Sequence, residues 1–179
     1  MLVSDSIVDD VSDADAIIFD CDGVLVDITE SYDTAINETV SYILKDTLGI
    51  QADTIVTPEI IYGFKSKGGF NDEVAVCYAV ILSSFAAKEL GKSFTEIIKD
   101  VIDNSDETGI ISVDNFLESI NVKITSIKEK LNYFGSHETS YIYTIFDQVF
   151  YGAELYEKIY SKPATLSTNG LIEKDKVLI

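Results

Sequence analysis

Apolar residues recur at three- and four-residue steps through most of this chain, and the departures from that rhythm lie near its two ends. Near the start, the run Ala16-Ile17-Ile18-Phe19 stops at Asp20, and Gly23 follows three residues later. A β-branched run cut by Asp and Gly predicts a buried strand entering a loop. The texture then turns helical. Over residues 31–48, Ala35, Ile36, Val40, Ile43, Leu44 and Leu48 form one stripe; Thr29 or Ser31 is placed to cap it and Gly49 to close it. Pro58 opens a short helix ending near Phe64, and residues 65–72 read as a loop. Residues 72–90 are apolar on most faces, which predicts the central buried helix, ended by Gly91. Helical spacing continues over 94–102, 112–120, 125–134, 139–150 and 152–160. Ser112 with Asn115, and Ser136 with Thr139, are placed as caps, and Lys162-Pro163 breaks the pattern. Residues 165–179 read as two extended stretches around an Asn169-Gly170 turn, a hairpin signal. Residues 1–15 are acidic and mixed, with Val3, Ile7 and Val8 able to dock as a short helix or strand.

One strand, a long helical stretch and a return to extended chain predict an insertion into an α/β sheet directly after its first strand. The 179 residues allow one domain, or a small core plus an insertion, and 46% apolar content supports a real core. A formal charge of −18 gives a surface that repels nucleic acid and anionic membrane. All 13 basic residues are lysine, so a bound phosphate would be held by lysine, backbone N–H groups or a metal, with no guanidinium fork. Cys21 and Cys77 fit two unpaired thiols in a reduced cytoplasm, and a lone His137 gives no zinc pattern. The apolar run at 75–87 is too short and too polar to span a membrane. The expectation is a soluble, cytoplasmic protein with no nucleic-acid or membrane partner.

The segment Ile17-Ile18-Phe19-Asp20-Cys21-Asp22-Gly23-Val24-Leu25-Val26-Asp27 resembles the first motif of the haloacid dehalogenase (HAD) superfamily: an apolar strand, Asp-x-Asp-Gly, and a further Asp four residues after the glycine. The resemblance implies an α/β Rossmannoid core with an α-helical cap. It divides the chain into a first piece of core at 1–28, a cap at 29–161 and a return segment at 162–179, leaving this chain mostly α because most core strands are absent. It implies that Asp20 attacks phosphorus and forms an aspartyl phosphate. A carboxylate and a phosphate dianion repel each other, so Mg2+ is implied as cofactor, held by Asp20 and by the backbone carbonyl of Asp22. Asp22 would protonate the leaving oxygen and then activate water. Gly23 would let the chain turn tightly and leave N–H groups for phosphate oxygens. Asp27 would begin the connection to the cap. The bland alternative is that Asp20 and Asp22 cap a turn after a strand.

Ser31-Tyr32, Ala35-Ile36, Thr39 and the loop Lys65-Ser66-Lys67-Gly68-Gly69-Phe70-Asn71-Asp72 are similar to a little-characterised, phosphatase-like HAD subfamily with a helical cap, as are Tyr151-Gly152-Ala153-Glu154-Leu155-Tyr156 and Gly170-Leu171-Ile172-Glu173. In that group Lys65, Lys67, Gly68, Gly69 and Asn71 would form a cap loop facing the active site, binding an anionic or polar substrate. The alternative is a solvated turn between helices. Three further parts of HAD chemistry find no convincing match: a strand-end Ser or Thr, a Lys, and an acidic pair. Thr165-Leu166-Ser167-Thr168 lies too early, and Asp103-Asn104-Ser105-Asp106 follows a helical pattern. The chain therefore reads as truncated after the cap: a fragment, a split-gene product with a separate chain supplying the rest of the core, or a cap-like remnant with another role. Its expected function is phosphomonoester hydrolysis of a small phosphorylated metabolite. The alternatives are a phosphomutase, which uses the same two aspartates, and a non-catalytic helical interaction module. Asp22 argues against a dehalogenase.

Overall fold

A computed structural model describes residues 15–51 and 55–178; the proposed docking of Val3, Ile7 and Val8 lies outside the described residues. The fold is mostly helical. A two-residue strand β1 (Val26–Asp27) leads into helix α1 (Thr29–Leu48). Then come α2 (Pro58–Lys65), α3 (Glu73–Leu90), α4 (Phe94–Asp103), α5 (Ile110–Ser119), α6 (Thr125–Leu131), α7 (Tyr141–Tyr151) and α8 (Ala153–Tyr160). A 3-10 turn (Leu171–Lys174) and strand β2 (Lys176–Val177) follow. No helix among the described residues is long and apolar enough to cross a membrane.

Helix α3 is the axis of the molecule, as its apolar pattern predicts. It packs against α1, α2, α4, α5 and α7, and Val76, Cys77, Ala79, Val80, Ile81 and Leu82 are wholly buried. Its ends are built from local chemistry. The Asp72 carboxylate accepts the Val74 N–H at 2.8 Å, and Gly91 closes the helix in the left-handed conformation at φ 63°. Two serines survive inside so apolar a helix because Ser83 and Ser84 donate to the carbonyls of Ala79 and Val80. Tyr78 donates to Asp114, which also pairs with Lys128 at 2.6 Å, so α3, α5 and α6 are tied by one carboxylate.

Three local expectations are corrected. Residues 16–19 form no strand: Ile17, Ile18 and Phe19 are exposed, Ile18 by 96%. No strand among the described residues lies beside them, and an isolated extended segment has no ladder to hold it. The Asn169-Gly170 hairpin also does not form. Asn169 bridges antiparallel to Gly152, and Gly170 lies so close against the Tyr151 carbonyl that a Cβ there would collide with it. The dipeptide is used to dock the return segment on the α7–α8 junction. β2 then pairs with β1, antiparallel, Val26 opposite Val177 and Asp27 opposite Lys176. Finally, the predicted caps move. Ser31 donates to the Ile28 carbonyl, so α1 has no side-chain cap, while α7 starts at Ser140 instead of Ser136.

Gln148, wholly buried on α7, fixes the return segment. Its Oε1 accepts from the N–H groups of Thr165 (2.6 Å) and Leu166 (2.9 Å), and its Nε2 donates to the Thr144 carbonyl. Further along, β2 pairs with β1, next to the end of the loop that carries Asp20 and Asp22.

Candidate active site

The loop at 20–26 is a compact turn organised by one carbonyl. Cys21 O accepts from the N–H groups of Val24 (3.3 Å), Leu25 (2.8 Å) and Val26 (3.0 Å), and Gly23 N–H donates to Val26 O at 2.8 Å. Gly23 stands at φ 75°, which a side chain would resist, although nothing lies within 4 Å of where a Cβ would go. Gly23 is expected to leave backbone N–H groups for phosphate oxygens; here the N–H groups of residues 23–26 are engaged inside the turn. Asp20 and Asp22 are both exposed; Asp20 Oδ1 accepts the Cys21 N–H at 2.8 Å. Asp27 accepts the Thr29 N–H at 3.1 Å, and that bond holds its carboxyl below the usual range; its contact is with the start of α1.

The Asp20 carboxylate and the Asp22 backbone carbonyl are oxygen donors of the kind a hard divalent cation takes; it commonly binds one or two carboxylates and completes its shell with water and phosphate. No group of three or more His, Cys, Asp and Glu residues able to hold a metal occurs among the described residues. Such oxygen donors suit Mg2+ chemically, and the set among the described residues is partial. The Asp103 to Asp106 stretch sits at the end of α4, where Asp106 accepts from Thr108, and serves that turn.

The five cap-loop candidates have different surroundings. Lys65 ends α2 and pairs with Glu73 at 2.9 Å. Its charge also reaches Asp33 on α1, whose carboxyl burial pushes up and Lys65 pulls down. Gly69 lies instead against the backbone of Glu107 and Gly109, on the approach to α5. Gly68 turns in the left-handed region at φ 87°, Lys67 is half-buried and Asn71 is exposed. Lys65 is thus the member brought toward the first turns of α1.

A second feature lies where those turns meet α3 and α7. A cavity of about 150 Å3 is walled by Tyr32, Tyr143, Phe146, Phe150 and Tyr151, with Asp72, Glu73, His137 and Asp147 among its lining. Burial raises the Tyr32 phenol to about 12, and the charge of Asp22 adds to that shift, so pocket and Asp loop are electrostatic neighbours. His137 Nδ1 meets the buried Asp147 carboxylate at 2.8 Å and its ring lies 4.2 Å from that of Tyr143. Burial pushes the Asp147 carboxyl up, and His137 opposes that. Sequence reasoning set His137 aside for want of a zinc pattern and passed over Asp147. The available signal was Asp147 itself, a lone carboxylate amid Ile145, Phe146, Val149 and Phe150 on an otherwise apolar stripe.

No protein-family profile matches the chain, and no match is found among curated proteins. Among solved structures, phosphatase Tt82 from Thermococcus thioreducens has a similar fold, with a TM-score of 0.57 and 24% identity over 90% of this chain. The match covers 53% of that protein, so this chain spans about half its length. At this identity the likeness establishes the fold.

Proposed function

We propose that this chain carries the nucleophile loop and helical cap of a HAD-type phosphatase, a Mg2+-dependent hydrolase of small phosphorylated metabolites in the cytoplasm. The observation that carries the reading is the Asp20-Cys21-Asp22-Gly23 turn placed immediately before a helical unit, in a chain whose fold is shared with a protein named a phosphatase. In this reading an Asp20 oxygen attacks phosphorus and the bond to the leaving oxygen breaks, while Asp22 gives that oxygen a proton. Asp22 then takes a proton from water, whose oxygen attacks the same phosphorus. The bond to Asp20 breaks, inorganic phosphate leaves and both carboxyl groups return to their starting states. Mg2+, held by Asp20 and the Asp22 carbonyl, would supply charge neutralisation. Gly23 permits the turn, and Lys65, which pairs with Glu73, is the cap-loop cation assigned to an anionic substrate in this reading. The remaining metal and phosphate ligands would come from polypeptide outside the described residues, including a separate core-supplying chain.

The exposed loop, its internally engaged N–H groups and its partial donor set favour a second reading: a non-catalytic helical module that keeps the Asp loop as a relic. Phosphate release from p-nitrophenyl phosphate with Mg2+ separates the two. The chain is assayed alone and together with a core-supplying polypeptide. The enzyme reading expects activity that Asp20→Asn lowers by at least about 10^3-fold. Activity unchanged in Asp20→Asn, or absent from every combination, favours the relic. A phosphomutase would instead move the phosphoryl group between two positions of one substrate.

A further inference from the structure

The chain has a single histidine, and it lies in the connection between α6 and α7. Both ends of that connection are fixed. Leu131 and Ser140 are wholly buried, and the Ser140 hydroxyl donates to the Leu131 carbonyl at 3.2 Å. Tyr133 packs its ring on those of Tyr78 and Tyr143. Beyond it, residues 134–139 are exposed, apart from half-buried Gly135. A span with so little buried apolar surface belongs to the low-stability end of a fold. Two polar contacts tie it to the body: the Glu138 carbonyl accepts from Lys162 at 3.0 Å, and His137 Nδ1 meets Asp147 at 2.8 Å.

The second contact depends on a proton. The Asp147 carboxylate is buried, and among the described residues its one ion partner is the half-exposed His137. A buried carboxylate needs a compensating charge, which imidazolium supplies; neutral imidazole leaves a hydrogen bond alone. The other groups facing the pair do not replace that charge. Asp72 and Glu73, at the start of α3, are themselves acidic, and Lys65 is engaged by Glu73. Glu138 and Lys162 pair with each other at 3.6 Å. The phenols of Tyr32, Tyr133, Tyr143, Tyr151, Tyr156 and Tyr160 are neutral near pH 7, because burial raises each of them. We propose that residues 134–139 form a proton-operated strap, closed against α7 and α8 while His137 is charged and released when His137 loses its proton, which opens Asp147 to water. Closure is favoured on the acid side of the His137 titration and is lost as pH rises through it. The device is independent of the phosphatase reading.

The test is nuclear magnetic resonance on the unmodified chain, titrated through the imidazole range. With one histidine in the sequence, the imidazole signals identify themselves, and the ring lies 4.2 Å from that of Tyr143, close enough for a nuclear Overhauser cross-peak. Charge-assisted hydrogen bonds are roughly twice as strong as neutral ones, so the cross-peak is expected to weaken at least about twofold from the imidazolium to the imidazole form. Amides of α3 should keep their exchange protection throughout. Asp147→Asn removes the buried charge and is expected to retain the ring contact in both forms. A cross-peak of equal strength in the two forms overturns the proposal, as does one lost together with the protection of α3; neither result needs a variant to fold. A loss in Asp147→Asn as large as in the unmodified chain also overturns it, because the release would then not come from the Asp147 charge.

Discussion

Residues 16–26 and helix α3 sit at opposite extremes of the same molecule. The first holds the chemically suggestive residues, yet Ile17, Ile18 and Phe19 are exposed and the turn is secured mainly by hydrogen bonds to the Cys21 carbonyl. The second holds no candidate catalytic residue, and it is enclosed by five other helices. Apolar side chains stabilise only when they leave water for close-packed surroundings. α3 obtains that from within the described residues. The Asp loop does not, and it would require further apolar surface laid over residues 17–19. The comparison separates two properties that a motif tends to merge, the presence of a reactive carboxylate and the presence of a scaffold to hold it.

The largest expected effect breaks the comparison directly. Leu82→Ala, at a wholly buried position of α3, should cost about 2–5 kcal/mol in denaturant unfolding. Phe19→Ala should stay within about 0.5 kcal/mol when the chain is studied alone. A large cost for Phe19→Ala would mean that the loop is covered by structure after all. If a core-supplying chain binds, Phe19→Ala should instead weaken that association, which sedimentation can follow.

An intermediate effect is expected at Gln148. Gln148→Ala removes the acceptor for the Thr165 and Leu166 N–H groups and should cost about 1–3 kcal/mol. Hydrogen exchange at those two amides should accelerate while exchange in α3 stays slow. Uniform acceleration throughout would show that the return segment is not a separable unit.

The smallest effect is a pH dependence. Burial raises the Asp147 carboxyl above its ordinary value of 3.8, so the folded state holds that proton more firmly than the unfolded chain. The associated stability is fully present below the ordinary value and is lost as pH rises through the raised folded one. Asp147→Asn should remove this slope from the acid limb of a melting-temperature profile. An unchanged profile would mean that His137 cancels the burial effect.

Much of the fold was legible because it follows from repeated patterns. The all-round apolar run of α3, the Gly49 and Gly91 stops and the Pro58 start depend on local residue chemistry, and each stands where its pattern put it. The Asn169-Gly170 turn failed because a tertiary contact outbid local preference: the backbone of α7 needs glycine at 170 for close approach. Residues 16–19 read as a strand because their composition is that of one, but a strand is a property of a pair, and no neighbour is present among the described residues. The Asp20-Asp22 loop was visible as a motif. The pocket was invisible, since Tyr32, Asp72, His137 and Asp147 come from four separate stretches of chain and only the packing of α1, α3 and α7 collects them.

The role of Asp20 can be read chemically, without relying on turnover. An aspartyl phosphate is an acyl phosphate, and borohydride reduces it to homoserine. The chain, together with a core-supplying polypeptide, would be mixed with Mg2+ and p-nitrophenyl phosphate, reduced, and mapped by peptide mass. Homoserine at position 20 alone, lost in Asp20→Asn, is the predicted result. Homoserine at another carboxylate, or none while phosphate is being released, would contradict the assignment of Asp20 as the phosphoryl acceptor.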